Sequence, residues 1–173
     1  MSLIDETAII ETERLVLEPL RGEDADELVT VLADERLHEF IGGHPLTVEE
    51  LRDRYDQLIA GSGTPAEVWF NWVARRRADS QAVGTMQATL TDDGGRRMAD
   101  VAWVIGVPWQ NQGYATEAAG ALVDWLRQQG ASSIVAYIHP LHHASAIVAT
   151  RAGLRPTGDE VDGEQVWRLA EGT

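Results

Sequence analysis

The chain of 173 residues carries 14 basic against 28 acidic residues, a formal net charge of −14, and no cysteine. One domain fits that length, and 44% hydrophobic with 24% charged residues is enough for a core. The acidic balance argues against nucleic-acid and anionic-membrane partners, and the absence of Cys removes disulfides, thiol nucleophiles and cysteine zinc sites.

The N-terminus, from Met1 to Glu6, has neither a basic segment nor a long apolar one, so no signal peptide is expected. No apolar run approaches the roughly 20 residues of a membrane span, and a cytoplasmic location is expected. Every basic residue is Arg, which removes Schiff-base and P-loop lysines. Abundant Ala, Gly and Arg, with Asn only at Asn71 and Asn111, suggest a GC-rich bacterial source. Residues 13–18 read as a strand ended by Pro19. From Asp24, the spacing of Ala25, Leu28, Val29 and Leu32 predicts a helix. Residues 41–45 form a turn. Thr47 and Glu50 make a capping box for a second helix, with Leu51, Tyr55, Leu58 and Ile59 on one face.

Three strands are expected next, at 68–75, 82–90 and 98–107, joined as an antiparallel meander. Residues 113–129 form a long helix with Ala115, Ala118, Ala119, Leu122 and Leu126 as its apolar stripe, ending at Gly130. A strand at 133–138, a short helix at 142–152 and a closing hairpin complete the order β-α-α-β-β-β-α-β-α-β-β. The unit from 98 to 138 is a parallel crossover, so the fold class is α/β (α+β): one domain over 1–173, with a mixed, mostly antiparallel central sheet flanked by helices.

The chemistry is carried by residues 101–117, V-A-W-V-I-G-V-P-W-Q-N-Q-G-Y-A-T-E. A strand runs into Pro108, and a short loop with Gly113 opens a helix. Small residues at Gly113 and Ala115 allow a ligand close to the backbone. The first helical N–H groups lack internal partners and favour anions. This describes a diphosphate cradle. It is not a Rossmann fingerprint, for the glycine spacing is wrong, nor a Walker A loop, for no Lys follows. The same residues also describe a plain strand–turn–helix junction.

Here the sequence resembles a family. Gln110-x-x-Gly113-x-Ala115 matches the Q/R-x-x-G-x-G/A motif of the GNAT superfamily of N-acetyltransferases, and Tyr114-Ala115-Thr116-Glu117-Ala118 continues it. Ala144-Ser145 and Gly153-Leu154 resemble the family's N-x-x-S…G-F signature, with His142 where the family has Asn. The opening, Thr12 to Leu17, is similar to the branch of Rim-type ribosomal-protein N-acetyltransferases.

The resemblance implies acetyl-CoA as donor and a primary amine, on a small molecule or a protein N-terminus, as acceptor, joined in a ternary complex. It implies that the backbone of Ile105 and Val107 pairs with the pantetheine arm. The backbone N–H groups of Gln112, Gly113, Tyr114, Ala115 and Thr116 would hold the pyrophosphate, with help from Arg127 or Arg151. Many relatives pair, so a homodimer is expected.

An amine must be neutral to attack a thioester, which calls for a base, and the leaving thiolate calls for a donor. Asp100, on the strand leading into the cofactor motif, is the candidate base; an exposed residue at a strand start beside the turn is its plainer reading. Glu39, His38 and His44 flank the loop that in the family borders the acceptor cleft. His142 and Ser145, three apart on one helix face, are the candidates at sulfur; a capping histidine and a helix-start hydrogen bond are the plainer readings of the same pair. The family's frequent Tyr acid has no counterpart, since Tyr137 falls within a strand and Tyr55 is far away in sequence. No metal site is expected, because no carboxylate accompanies His139, His142 and His143. Trp69, Phe70, Trp72 and Trp103 are expected in the core, with the poor alternation of 69–72 leaving one ring of that segment to face a cleft instead. The alternative to an enzyme is a non-catalytic acyl-CoA-binding sensor or regulatory module.

Overall fold

A computed structural model describes residues 4–170, and Met1, Ser2 and Leu3, on which the reading of the N-terminus begins, lie outside them. Among the described residues, eight strands form one sheet in the order β1-β2-β3-β4-β5-β6-β8-β7. They are β1 (Ile10–Glu11), β2 (Leu15–Pro19), β3 (Glu67–Arg76), β4 (Ala82–Asp93), β5 (Arg96–Ile105), β6 (Ala131–Ile138), β7 (Leu154–Val161) and β8 (Glu164–Leu169). Only β5 and β6 are parallel; every other neighbouring pair is antiparallel. The helices are α1 (Ala25–Val31), α2 (His38–Ile41), α3 (Val48–Ala60), α4 (Tyr114–Gln128) and α5 (His143–Arg151). None among the described residues is long and apolar enough to cross a membrane.

Local chemistry explains the element ends. Thr47 Oγ1 accepts from the Glu50 N–H, and Glu50 Oε1 accepts from the Thr47 N–H, so the expected capping box starts α3. The β4–β5 turn is tighter than the sequence suggested. Both strands run to the Gly94-Gly95 pair, whose φ values of 61° and 90° suit a two-residue hairpin.

The apolar stripe of α4 packs on one sheet face, burying Tyr114, Ala118, Ala119, Leu122, Val123 and Leu126. Trp125 meets Phe70 and Trp72 edge-on, with centroids 5.3 Å away in each case. The α1–α3 pair covers a second cluster around Leu28, Leu51, Tyr55 and Val73. Arg75 ties α1 to the sheet. Its guanidinium reaches Asp24 Oδ1 at 2.9 Å, Glu27 Oε2 at 2.7 Å and Glu18 Oε2 at 3.2 Å. Asp24 is buried, and its carboxylate is balanced there by Arg75 and by the Arg21 N–H.

The feature that makes a site is the parting of β5 and β6. Their pairing ends at Val101↔Ala136, although β5 continues to Ile105 and β6 to Ile138. Beyond that point β6 pairs with β8 and β5 with β4, so a wedge opens between them. Gly84 lets β4 follow β5 closely along this stretch, for a Cβ there would sit 2.0 Å from the Val104 carbonyl oxygen.

Candidate active site

One wall of the wedge is the start of α4. Gly113 is its N-cap, at φ 82°, and its carbonyl accepts the first helical bond from the Glu117 N–H. A side chain there would be strained, and its Cβ would approach Arg14 Nη2 to 3.2 Å. The N–H groups of the first turn have no helical acceptor and face a cleft of about 690 Å³. Gly113, Tyr114, Ala115 and Thr116 line it, as do Trp103, Ile105, Val107 and Trp109. Gln112 does not: its carbonyl accepts from Arg14 Nη1 at 2.8 Å.

The strand expected over 98–107 is corrected to Arg96–Ile105. Val107 opens a 3-10 turn, Val107–Trp109, in which Pro108 takes a first-turn position. Gln110 locks that turn to the strand, its Nε2 donating to the Ile105 carbonyl at 2.9 Å. The backbone of 102–105, past the last β6 partner, is therefore the strand edge that the cleft meets.

Arg14 went unread as a site residue. Its Nε lies 2.8 Å from Glu117 Oε1, and its guanidinium sits 4.5 Å from the Tyr114 ring centroid. Glu117 also accepts from the Arg14 N–H and from Thr12 Oγ1. Burial raises the Glu117 pKa, but the hydrogen bonds from Thr12 and Arg14 outweigh it and hold the carboxyl below its usual range. The start of β2 thus clamps the start of α4. Arg36 and Arg151 also line the cleft; Arg127 does not. Arg36 is paired with Asp34, whereas Arg151 has no carboxylate partner among the described residues.

The other wall is α5. His142 is its N-cap and not its first helical residue, so the helix expected at 142–152 begins at His143. His142 Nδ1 accepts from the Ser145 N–H at 3.3 Å, and Nε2 lies 3.1 Å from Ser145 Oγ. Phe40, from α2, stacks on the His142 ring with centroids 4.7 Å apart. Burial lowers the His142 pKa, and His139 and His143 lower it further against an opposing pull from Glu39.

A smaller cavity of about 110 Å³ adjoins the cleft, lined among others by Tyr137, Ile138, His139 and Glu164. Phe40, Trp103, Val104, His142 and Ser145 line both cavities. Trp103, expected in the core, thus lines the site instead; within 69–72, Phe70 and Trp72 are buried and Trp69 is the ring that lines a separate groove. Tyr137 is 41% exposed and belongs to the smaller cavity; burial raises its pKa first, and Asp100 adds to the shift.

Asp100 lines neither cavity. It sits on the sheet face away from α4, two residues before Ala102 of the smaller cavity. Burial raises its pKa, and Glu67 raises it further. Of the loop candidates, His38 Nδ1 lies 3.2 Å from the Gly42 carbonyl oxygen, and Glu39 acts on His142 only through its charge. His44 lines neither cavity.

Solved structures share this architecture. An acetyltransferase of the GNAT family from Bacillus anthracis superposes with a TM-score of 0.78 at 19% identity, over 94% of this chain and 98% of that one. RimJ from Mycobacterium smegmatis in complex with CoA-disulfide gives 0.77 at 18% identity, over 94% and 87%. The microcin C7 self-immunity acetyltransferase MccE in complex with acetyl-CoA and AMP gives 0.75 at 14% identity, over 92% and 93%. No curated protein sequence matches the chain. The family model for the acetyltransferase (GNAT) domain matches residues 14–155, from the Arg14 clamp through the β5–β6 wedge to α5. The chain belongs to the GNAT acetyltransferases and is an acyl-CoA-dependent N-acetyltransferase.

Proposed function

We propose that this enzyme moves an acetyl group from acetyl-CoA directly to a primary amine, with both substrates bound at once across the β5–β6 wedge. The observation that carries this reading is the junction at Trp103, Val104, His142 and Ser145, which line both cavities. When bound, acetyl-CoA supplies the acyl thioester. The residues fit it: a long cleft with apolar walls ends at a helix N-terminus whose cap, Gly113, leaves the backbone bare.

In this reading the N–H groups of Gly113, Tyr114, Ala115 and Thr116 hold the pyrophosphate, and Arg151 supplies positive charge. Gln112 contributes by holding the loop through its carbonyl bond to Arg14. The free edge of 102–105, Ile105 included, pairs with the pantetheine, while Val107 packs against it. An N–H of that edge faces the negative charge that develops on the carbonyl oxygen.

Asp100 accepts the proton from the incoming ammonium through water, since it lines neither cavity; its raised pKa makes it a better base than an ordinary carboxylate. The amine nitrogen bonds to the acyl carbon, the C–S bond breaks, and its electron pair goes to sulfur beside Ser145. The acceptor is a small amine or a protein N-terminus, and the net charge of −14 favours cationic acceptors by steering. A cytoplasmic homodimer completes the proposal.

The test is thiol release from acetyl-CoA across a panel of amines, with the acetylated product identified by mass. Release that saturates in both substrates along intersecting lines supports direct transfer. Parallel lines, or an acetylated enzyme, contradict it.

A further inference from the structure

The two cavities that share the junction differ in the sign of their charge. Histidines apart, the charged side chains lining the larger cleft are Arg36 and Arg151, which suits an anionic cofactor. The smaller cavity has Glu164 alone. Glu164 opens β8 just after the Asp162-Gly163 turn, where both residues take positive φ, 50° and 81°. It lies one register step past Ile138↔Gln165, the last pair of β6 with β8, and so reaches the cavity beyond the end of β6. The residue is half-buried, and among the described residues no arginine, histidine or hydrogen-bond donor pairs with its side chain.

Phe40, Trp103 and Tyr137 line the same cavity, and aromatic faces attract cations. Phe40 is held there by His142 and His139, at centroid distances of 4.7 and 5.1 Å. The cavity, at about 110 Å³, has room for an amino group and the first carbons behind it. An unpaired carboxylate among aromatic rings is a receptor for one kind of group, a small cation.

We infer that Glu164 selects the acceptor: it holds the ammonium of an amine with no carboxylate on the neighbouring carbon, and it turns away free α-amino acids. The inference rests on the acetyl-transfer reading above and narrows its acceptor. An α-amino acid brings its own carboxylate into the cavity beside the ammonium, and like charges oppose its entry. An alkylamine, or an amino group whose neighbouring carboxyl is tied up in an amide, brings the positive charge alone. The bound ammonium must still lose a proton before its nitrogen attacks, and in that reading the proton leaves through water to Asp100. Glu164 therefore acts in binding and Asp100 in the chemical step.

The experiment takes the most active primary amine of the panel, its analogue with a carboxylate on the carbon next to nitrogen, and the amide of that analogue. For butylamine these are norvaline and norvaline amide. Thiol release from acetyl-CoA gives kcat and KM for each. The parent should favour the amine and the amide over the carboxylate by at least about tenfold in kcat/KM. Glu164→Gln keeps the shape and removes the charge, so that preference should shrink. KM for the amine should rise about tenfold with kcat undiminished, as for a contact made equally in the ground and transition states. Glu164→Asp keeps the charge and should keep the preference.

A parent that accepts the carboxylate as readily overturns the inference. So does an unchanged KM and preference in a Glu164→Gln variant that binds acetyl-CoA and melts with the parent. A fall in kcat at constant KM overturns it by moving Glu164 into the chemical step, and a preference lost equally in Glu164→Asp overturns it by making shape the cause. Acetyl-CoA bound with no amine acetylated overturns the reading on which it rests.

Discussion

Arg14 and Glu117 stand 103 positions apart in the chain and meet at 2.8 Å. Their pairing fastens the sheet edge to the first turn of α4. The same arginine reaches the Gln112 carbonyl, so the loop that would cradle a pyrophosphate is held from outside the cleft. Glu117→Ala removes the acceptor for Thr12 Oγ1, for the Arg14 N–H and for Arg14 Nε. We expect a loss of about 1–2 kcal/mol in stability, since much of the network is open to solvent. Acetyl-CoA affinity should fall with it. Chemical denaturation and calorimetric titration on one preparation check both, and an unaltered affinity would separate the clamp from the cradle.

Gly113→Val tests the cradle itself. The native φ of 82° is costly for a branched residue, and its Cβ would crowd Arg14. Affinity for acetyl-CoA should drop at least about tenfold, or 1.4 kcal/mol. A folded variant with full affinity would place the pyrophosphate elsewhere.

Asp100→Asn should split activity from stability. Burial and Glu67 raise the folded pKa of Asp100, so its ionised form is disfavoured in the fold. A raised carboxylate pKa means that the folded state holds the proton more tightly, and stability is lost as pH rises through the unfolded and folded values. The neutral amide escapes that loss, so the variant should melt no lower than the parent at pH 7. Its kcat should fall about 100-fold or more if Asp100 is the base. Melting curves and amine-dependent thiol release give the two readings; an unchanged kcat would assign the base elsewhere.

Acid stability follows from the opposite shift. Burial resists ionisation of Glu27, but the Ala82 N–H and Arg75 hold its pKa below the usual value, as Thr12 and Arg14 do for Glu117. A lowered carboxylate pKa contributes stability above the unfolded value, near 4.5, and loses it as pH falls through the folded value. The melting temperature should therefore decline below about pH 4.5. Glu27→Gln, lowering stability at pH 7, should flatten that decline.

These residues also show what the sequence revealed. The order of helices and long strands follows from periodicity and caps, as Thr47 and Glu50 at α3 illustrate. The family motif that opens α4 was legible because Gln110, Gly113 and Ala115 are close neighbours in sequence. Short elements were not: β1 has two residues and α2 four, too few for any period to register. Partners distant in sequence were equally hidden. Nothing local ties Arg14 to Glu117 or sets Phe40 on His142, and the wedge depends on where β5 and β6 stop pairing. The strand end at Ile105 was misplaced by two residues because Val107 is apolar and β-branched, while Pro108 and the Gln110 bond turn the chain earlier.

The most direct measurement is a crystal structure with CoA bound. The account predicts the pyrophosphate on the backbone N–H groups of 113–116, the pantetheine along the free edge of 102–105, and the sulfur within hydrogen-bond reach of Ser145 Oγ. Density for CoA in the other large groove, beside Ile59, Ser62 and Trp69, or a sulfur remote from Ser145, would contradict it.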